Sequence, residues 1–134
     1  MSQQIQSKTV EPERKPAQGY RDLLVWQKGI LLAKEVYSIT ARFPSEEKFG
    51  LVSQMRRAAV SVSSNIAEGQ ARHTTGEFVM FISHAEGSLA ELDTQLVLAV
   101  ELGFIYREVA KASASLIEEL RRMLNSLRRK LLKN

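Results

Sequence analysis

The densest chemistry in the chain lies at its carboxyl end. Residues 121–134 hold Arg121, Arg122, Arg128, Arg129, Lys130 and Lys133 with no acid, a net charge of +6. The 120 residues before them hold 13 basic and 15 acidic side chains and are net −2. A basic terminal segment is the electrostatic footprint of a nucleic-acid contact. A solvated helix end gives the same pattern, because cations suit the negative end of a helix dipole. Arg121, Arg122, Arg128 and Arg129 recur at a spacing of seven, which places them on one helix face opposite the leucines. No aromatic residue interleaves with them, so bases would find no stacking platform. Binding through this face is expected to be phosphate-directed, salt-sensitive and poor in sequence preference.

The other chemistry-bearing residues are scattered. Arg56 and Arg57 lie next to an apolar stripe, where a guanidinium fork can hold phosphate or pair with an acid such as Glu86, Glu91 or Glu101. The abundance of acids there favours the ion pair. Glu68 falls where a helix dipole disfavours negative charge. It reads as a ligand or base, or, better, as an acid held by Arg72 or His84. Asn65, beside the core stripe, reads as a polar residue that fixes packing register. His73 and His84 lack the spacing of a zinc motif, and adjacent Ser83 and His84 cannot face each other on a helix. There is no glycine-rich phosphate loop and no cysteine. No catalytic constellation, metal or cofactor is expected, and the enzyme reading is set aside.

Four helices must position these groups. Residues 1–19 contain two of the three prolines and no apolar period, and read as a flexible tail before a folded domain over 20–134. The first helix is predicted over about 22–43, ending before Pro44. It carries two apolar stripes: Leu23, Trp26, Ile30, Ala33, Tyr37, and Val25, Gly29, Leu32, Val36, Ile39, Phe43. One stripe closes a bundle, and two imply a helix covered on both sides. Trp26, Val25, Leu32, Val36 and Ile39 are therefore candidates for a subunit interface. Ser45 is placed to cap the second helix, whose stripe is Leu51, Met55, Ala58/Ala59, Val62, Ile66, with Gly69 as a left-handed stop. Thr74 and Glu77 form a capping box for the third helix, which closes at Gly103. The fourth starts near Tyr106 and carries Ala110, Leu116, Leu120, Met123/Leu124, Leu127 and Leu131.

The uncharged run Ala58–Ala67 and the small residues of Ser83–Ala90 predict close helix packing, with overpacking if Ala59 or Gly87 is enlarged. Short connections favour an all-α, antiparallel up-down four-helix bundle. A chain of 134 residues suits one domain, and 44% hydrophobic with 25% charged residues suits a globular protein. The absence of cysteine suits a reducing cytoplasm, and no signal peptide or membrane span is evident.

Phe43-Pro44-Ser45-Glu46-Glu47-Lys48-Phe49-Gly50-Leu51, Gln54-Met55-Arg56-Arg57-Ala58-Ala59-Val60-Ser61 and Ser64-Asn65-Ile66-Ala67-Glu68-Gly69 follow one another in order. They resemble the hallmark of the 23S rRNA intervening sequence proteins. Ala85-Glu86-Gly87-Ser88-Leu89-Ala90-Glu91-Leu92 and the opening Tyr20-Arg21-Asp22-Leu23-Leu24-Val25-Trp26 are also similar to that family. The resemblance covers about residues 20–106, so the cationic end lies beyond it. It implies a four-helix bundle assembled as a cyclic homopentamer, without enzymatic activity. It also implies a relation to accessory proteins of retroelement reverse transcriptases, whose pentamer binds the polymerase and nucleic acid. The expected partners are thus other copies of the chain, and ribosomal or other structured RNA or a reverse transcriptase, with no membrane. A protein-interaction scaffold that ignores nucleic acid is the alternative.

Overall fold

A computed structural model describes residues 19–133, so the expected tail lies, apart from Gly19, outside the described residues. Four helices follow one another: α1 (Leu24–Thr40), α2 (Leu51–Gln70), α3 (Thr75–Glu101) and α4 (Arg107–Lys133), with no strand among the described residues. Each helix packs on its neighbours in sequence, and α4 closes against α1, while the diagonal pairs stay apart. The contacts run in antiparallel register. Arg56 meets Tyr37 and Ser63 meets Trp26 between α2 and α1. Ser88 meets Ser61 between α3 and α2, and Arg128 meets Ser83 between α4 and α3.

Local chemistry sets the helix ends. The residue before Pro44 is kept out of the helical region, and α1 already stops at Thr40, short of the predicted Phe43. Ser45 does not cap α2. It opens a 3-10 turn over Ser45–Glu47, and the Glu47 carboxylate accepts from the Leu51 N–H at 3.1 Å. An acid at the positive end of the helix replaces the expected hydroxyl. Thr74 does cap α3, its hydroxyl accepting from Glu77 N–H at 3.2 Å while also meeting the Glu77 carboxylate. Gly103, at φ 80°, ends α3 with Phe104 N–H on Ala99 C=O at 2.9 Å and Gly103 N–H on Val100 C=O at 3.0 Å. This pair of bonds satisfies carbonyls that the helix would otherwise leave open.

Gly69 is not a left-handed stop. It is buried inside α2, and a Cβ there would sit 2.7 Å from Phe81 Cβ and 2.9 Å from Phe78 Cδ1. Its role is to let α2 approach the start of α3. Gly29 does the same between α1 and α2, where an added Cβ would overlap Ser63 Oγ. Gly87 has the opposite surroundings: it faces solvent with nothing within 4 Å of a Cβ. The close packing expected at Gly87 is therefore absent, while Ala59 is fully buried as the stripe predicts.

The core decides between the two stripes of α1. Val25, Leu32, Val36, Ile39 and Phe43 join Met55, Val62, Ile66, Ile82, Leu89, Leu92, Leu120 and Leu124 in one cluster. Four of the five interface candidates, Val25, Leu32, Val36 and Ile39, are thus core residues. Leu32 and Val36 have 0% of their surface accessible, so a second copy has nothing of them left to cover. Trp26, on the other stripe, remains half-buried.

Ser113 is also fully buried, and its hydroxyl has no hydrogen-bond partner among the described residues. An unmet buried hydroxyl costs about 1–3 kcal/mol. Ser113→Ala is therefore expected to raise the unfolding free energy by about 1 kcal/mol, read as a higher melting temperature. A lower one would mean that the hydroxyl is satisfied in solution.

Candidate functional site

Two surfaces carry features that folding alone does not account for. The first is the outer face of α4. Its sequence pattern is cationic, but folding commits half of the charge. Arg128 turns onto α3, where it pairs with Glu86 and donates from Nη1 to Ser83 Oγ at 3.2 Å. Arg121 and Arg122 both reach Glu118, at 2.5 and 3.2 Å. The hydrogen bond from Arg121 holds the Glu118 carboxyl below its ordinary value, and Glu118 raises Arg121 in return. Arg129, Lys130 and Lys133 have no ion pair among the described residues. With Ser126 and Leu132 they line a shallow groove of about 520 Å³ in the last turns of the helix. These three cations lie where the helix leaves its carbonyls open, the end at which the dipole favours positive charge.

The second surface runs along the seam of α1 and α2. Trp26, Ile30 and Ala33 line one groove with Val60, Ser63 and Ala67, of about 270 Å³. Tyr37, Phe49, Val52 and Val60 line the next, of about 600 Å³, together with Lys48, Arg56 and Arg57. Phe49 is 89% exposed, and Ile30, Tyr37 and Val60 are exposed as well. Contiguous apolar surface rimmed by polar groups marks an interaction site more often than scattered exposed residues do.

Arg56 is locked into this seam. Its Nε donates to Thr40 Oγ1 at 2.9 Å and its Nη2 to Tyr37 C=O at 3.2 Å, with the guanidinium 4.4 Å from the Tyr37 ring. It ties α2 to the last turn of α1, as a second donor to the Tyr37 carbonyl that Ala41 N–H already bonds at 3.2 Å. The ion pairs expected with Glu86, Glu91 or Glu101 do not form at Arg56 or Arg57 among the described residues. Glu86 is taken by Arg128.

The polar residues of the α2–α3 corner divide in the same way. Asn65 donates to Ser61 C=O at 2.8 Å and to Ser61 Oγ at 2.9 Å, and Ser61 Oγ accepts from Ser88 at 2.9 Å. This chain of hydrogen bonds ties α2 to α3, as a register-setting residue would. The sequence reading missed Ser61 and Ser88, whose only signal was two small polar residues beside helical stripes. Glu68 faces solvent and has neither of its expected partners. Arg72 stacks on Phe81 at 4.7 Å, and His84 lies edge-on to the same ring at 5.7 Å. Neither histidine belongs to a group of three or more metal-ligating side chains among the described residues.

The family profile described as the 23S rRNA-intervening sequence protein matches residues 21–126. The chain belongs to that family. The match includes Arg121 and Arg122 and stops before Arg128, Arg129, Lys130 and Lys133. No curated protein is close enough in sequence to count as a relative. Among solved structures, the fold is similar to a protein of unknown function from the S23 ribosomal protein family of Bacteroides thetaiotaomicron. That likeness has a TM-score of 0.71 at 20% identity and covers 78% of this chain and 98% of the other. At that identity the likeness speaks for the bundle alone. Among the described residues of this family member, no helix is long and apolar enough to cross a membrane.

Proposed function

We propose that this 23S rRNA-intervening sequence protein is a non-enzymatic, self-assembling module that gathers the basic ends of α4 onto structured RNA. The apolar seam of α1 and α2 carries the reading: Trp26, Ile30, Tyr37, Phe49 and Val60 stay accessible after the bundle has closed. Covering such a seam with further copies, in the ring of five that the family resemblance implies, removes apolar area from water. Assembly also repeats Arg129, Lys130 and Lys133 on each copy. Three cations on a monomer make a weak phosphate site, whereas repeated sites on one particle raise avidity without a new kind of contact. RNA is the favoured ligand, ribosomal or otherwise structured, and a reverse transcriptase that carries its own nucleic acid is the protein partner of the same kind.

Filter binding of structured RNA across a salt series tests the reading. Affinity is expected to fall steeply as salt rises, because each neutralised phosphate adds about 0.7–0.9 to the logarithmic slope. No binding at low salt, or a signal that salt leaves unchanged, contradicts it. Glu118→Gln provides a second test. It releases Arg121 and Arg122 from their carboxylate and is expected to tighten RNA binding and steepen the slope by about 1–2. An unchanged slope would mean that these arginines never face phosphate.

A pure protein scaffold is the second reading, favoured by the engagement of Arg121, Arg122 and Arg128 in ion pairs. In that case replacing Arg121, Arg122, Arg128 and Arg129 with Gln leaves partner binding intact, and the native protein shows no RNA binding to lose.

A further inference from the structure

We propose that the outward ridge of α3 in one copy docks into the α1–α2 groove of the next, making a head-to-tail contact. The inference rests on the self-assembly reading above and assigns the two surfaces that meet. Met80, Ser83, Gly87, Ala90, Thr94 and Val97 follow alternating spacings of three and four along α3, and all of them face solvent. That spacing is the stripe by which a helix meets a partner. Here the stripe points away from the core and contains no charged residue of its own, with the Arg128 guanidinium of α4 reaching it at Ser83. Its middle is bare, since a Cβ at Gly87 would meet nothing within 4 Å. Its end is apolar, with Val97 56% and Leu102 54% exposed.

Charge selects the occupant. α3 contains Glu77, Glu86, Glu91, Asp93 and Glu101 and no lysine or arginine. Only Glu86 among these acids is paired with a cation among the described residues. The larger α1–α2 groove has the opposite character: Lys48, Arg56 and Arg57 line it beside Tyr37, Phe49, Val52 and Val60, with no acid. Packing the groove on its own copy would bring Lys48, Arg56 and Arg57 against one another. Packing ridge on ridge would oppose two sets of carboxylates. Like charges set face to face suppress those pairings, whereas ridge in groove sets carboxylates against cations around an apolar centre. Two different patches meeting head to tail make a heterologous contact, which closes into a ring when the rotation permits.

Two variants break one surface each. Gly87→Arg puts a long cation on the ridge, and Val60→Arg puts one in the groove. Both positions are exposed, so circular dichroism and thermal melting should show an intact bundle in each case. Measured by sedimentation velocity at micromolar concentration, each variant alone is expected to run near 15.1 kDa. Mixed in equal amounts they are expected to form a species of twice that mass and no larger, since each retains one sound surface and the two damaged ones repel. A native protein that assembles while Gly87→Arg assembles equally well overturns the inference and leaves self-assembly standing. So does a mixture of two monomeric variants that forms no dimer. A native protein that is itself monomeric overturns both.

Discussion

Gly69→Leu is expected to lower the unfolding free energy by about 1–3 kcal/mol, the usual range for overpacking a tight contact. The side chain has no direction in which to escape. The first carbon alone would stand 2.7 Å from Phe81 Cβ, which moves only with the backbone of α3, and 2.9 Å from the Phe78 ring. Relief requires α2 and α3 to separate at the corner where Thr74 starts the second of them. Gly87→Leu serves as the control, because it makes the same chemical change on the same bundle where nothing lies within 4 Å. A helical glycine exposed to solvent costs up to about 1 kcal/mol relative to good helix formers. The Gly87 variant is thus expected to equal or exceed the parent in stability as a single chain. Urea unfolding of dilute samples, where chains are separate, measures both. Equal midpoints for the two variants would contradict the assignment of Gly69 as the contact glycine.

The largest functional effect is expected from Arg129→Gln, Lys130→Gln and Lys133→Gln combined. These are the basic residues of the last turns of α4 that no carboxylate satisfies among the described residues. The changes remove no core contact, so melting should hold. RNA affinity at moderate salt is expected to drop by about 10²-fold or more, since each lost phosphate contact takes about 0.7–0.9 from the logarithmic salt slope. The salt slope should collapse at the same time. Arg121→Gln with Arg122→Gln is the comparison. Those side chains already satisfy Glu118 at 2.5 and 3.2 Å, so their loss should cost much less. If the pairs proved equally costly, Glu118 would be releasing its arginines to phosphate, and the division of α4 into engaged and open cations would fail.

The four helices and two of their ends were legible in the sequence because local residues determine them. Thr74 with Glu77 and Gly103 at φ 80° behave as their types require. What the sequence leaves open is set by the neighbour across the bundle. The periodicity of α1 shows two apolar stripes but cannot say which one turns inward, since both satisfy the same spacing. Val25, Leu32, Val36 and Ile39 went to the core, while on the other stripe Trp26 is half-buried against it and Ile30 and Tyr37 stay exposed. Small residues are ambiguous for the same reason. A glycine marks a close neighbour at Gly69 and none at Gly87. At the basic end, the positions of the cations are plain in the sequence, yet their partners are tertiary: Arg128 finds Glu86 from 42 residues away. At Arg56 the expected ion pair gives way to the Thr40 hydroxyl and to the Tyr37 carbonyl, which Arg56 shares with Ala41 N–H, and no acid pairs with it among the described residues.

The uncovered α1–α2 seam is the feature on which self-assembly, pooled charge and the ridge-in-groove contact all depend. Sedimentation equilibrium of the native chain at micromolar concentration addresses it most directly. A mass near five times 15.1 kDa is the expected result, with loss of assembly when Ile30 and Tyr37 are both replaced by charged residues. A single 15.1 kDa species across the concentration range would contradict it, because the seam would then be stable in water without a second copy.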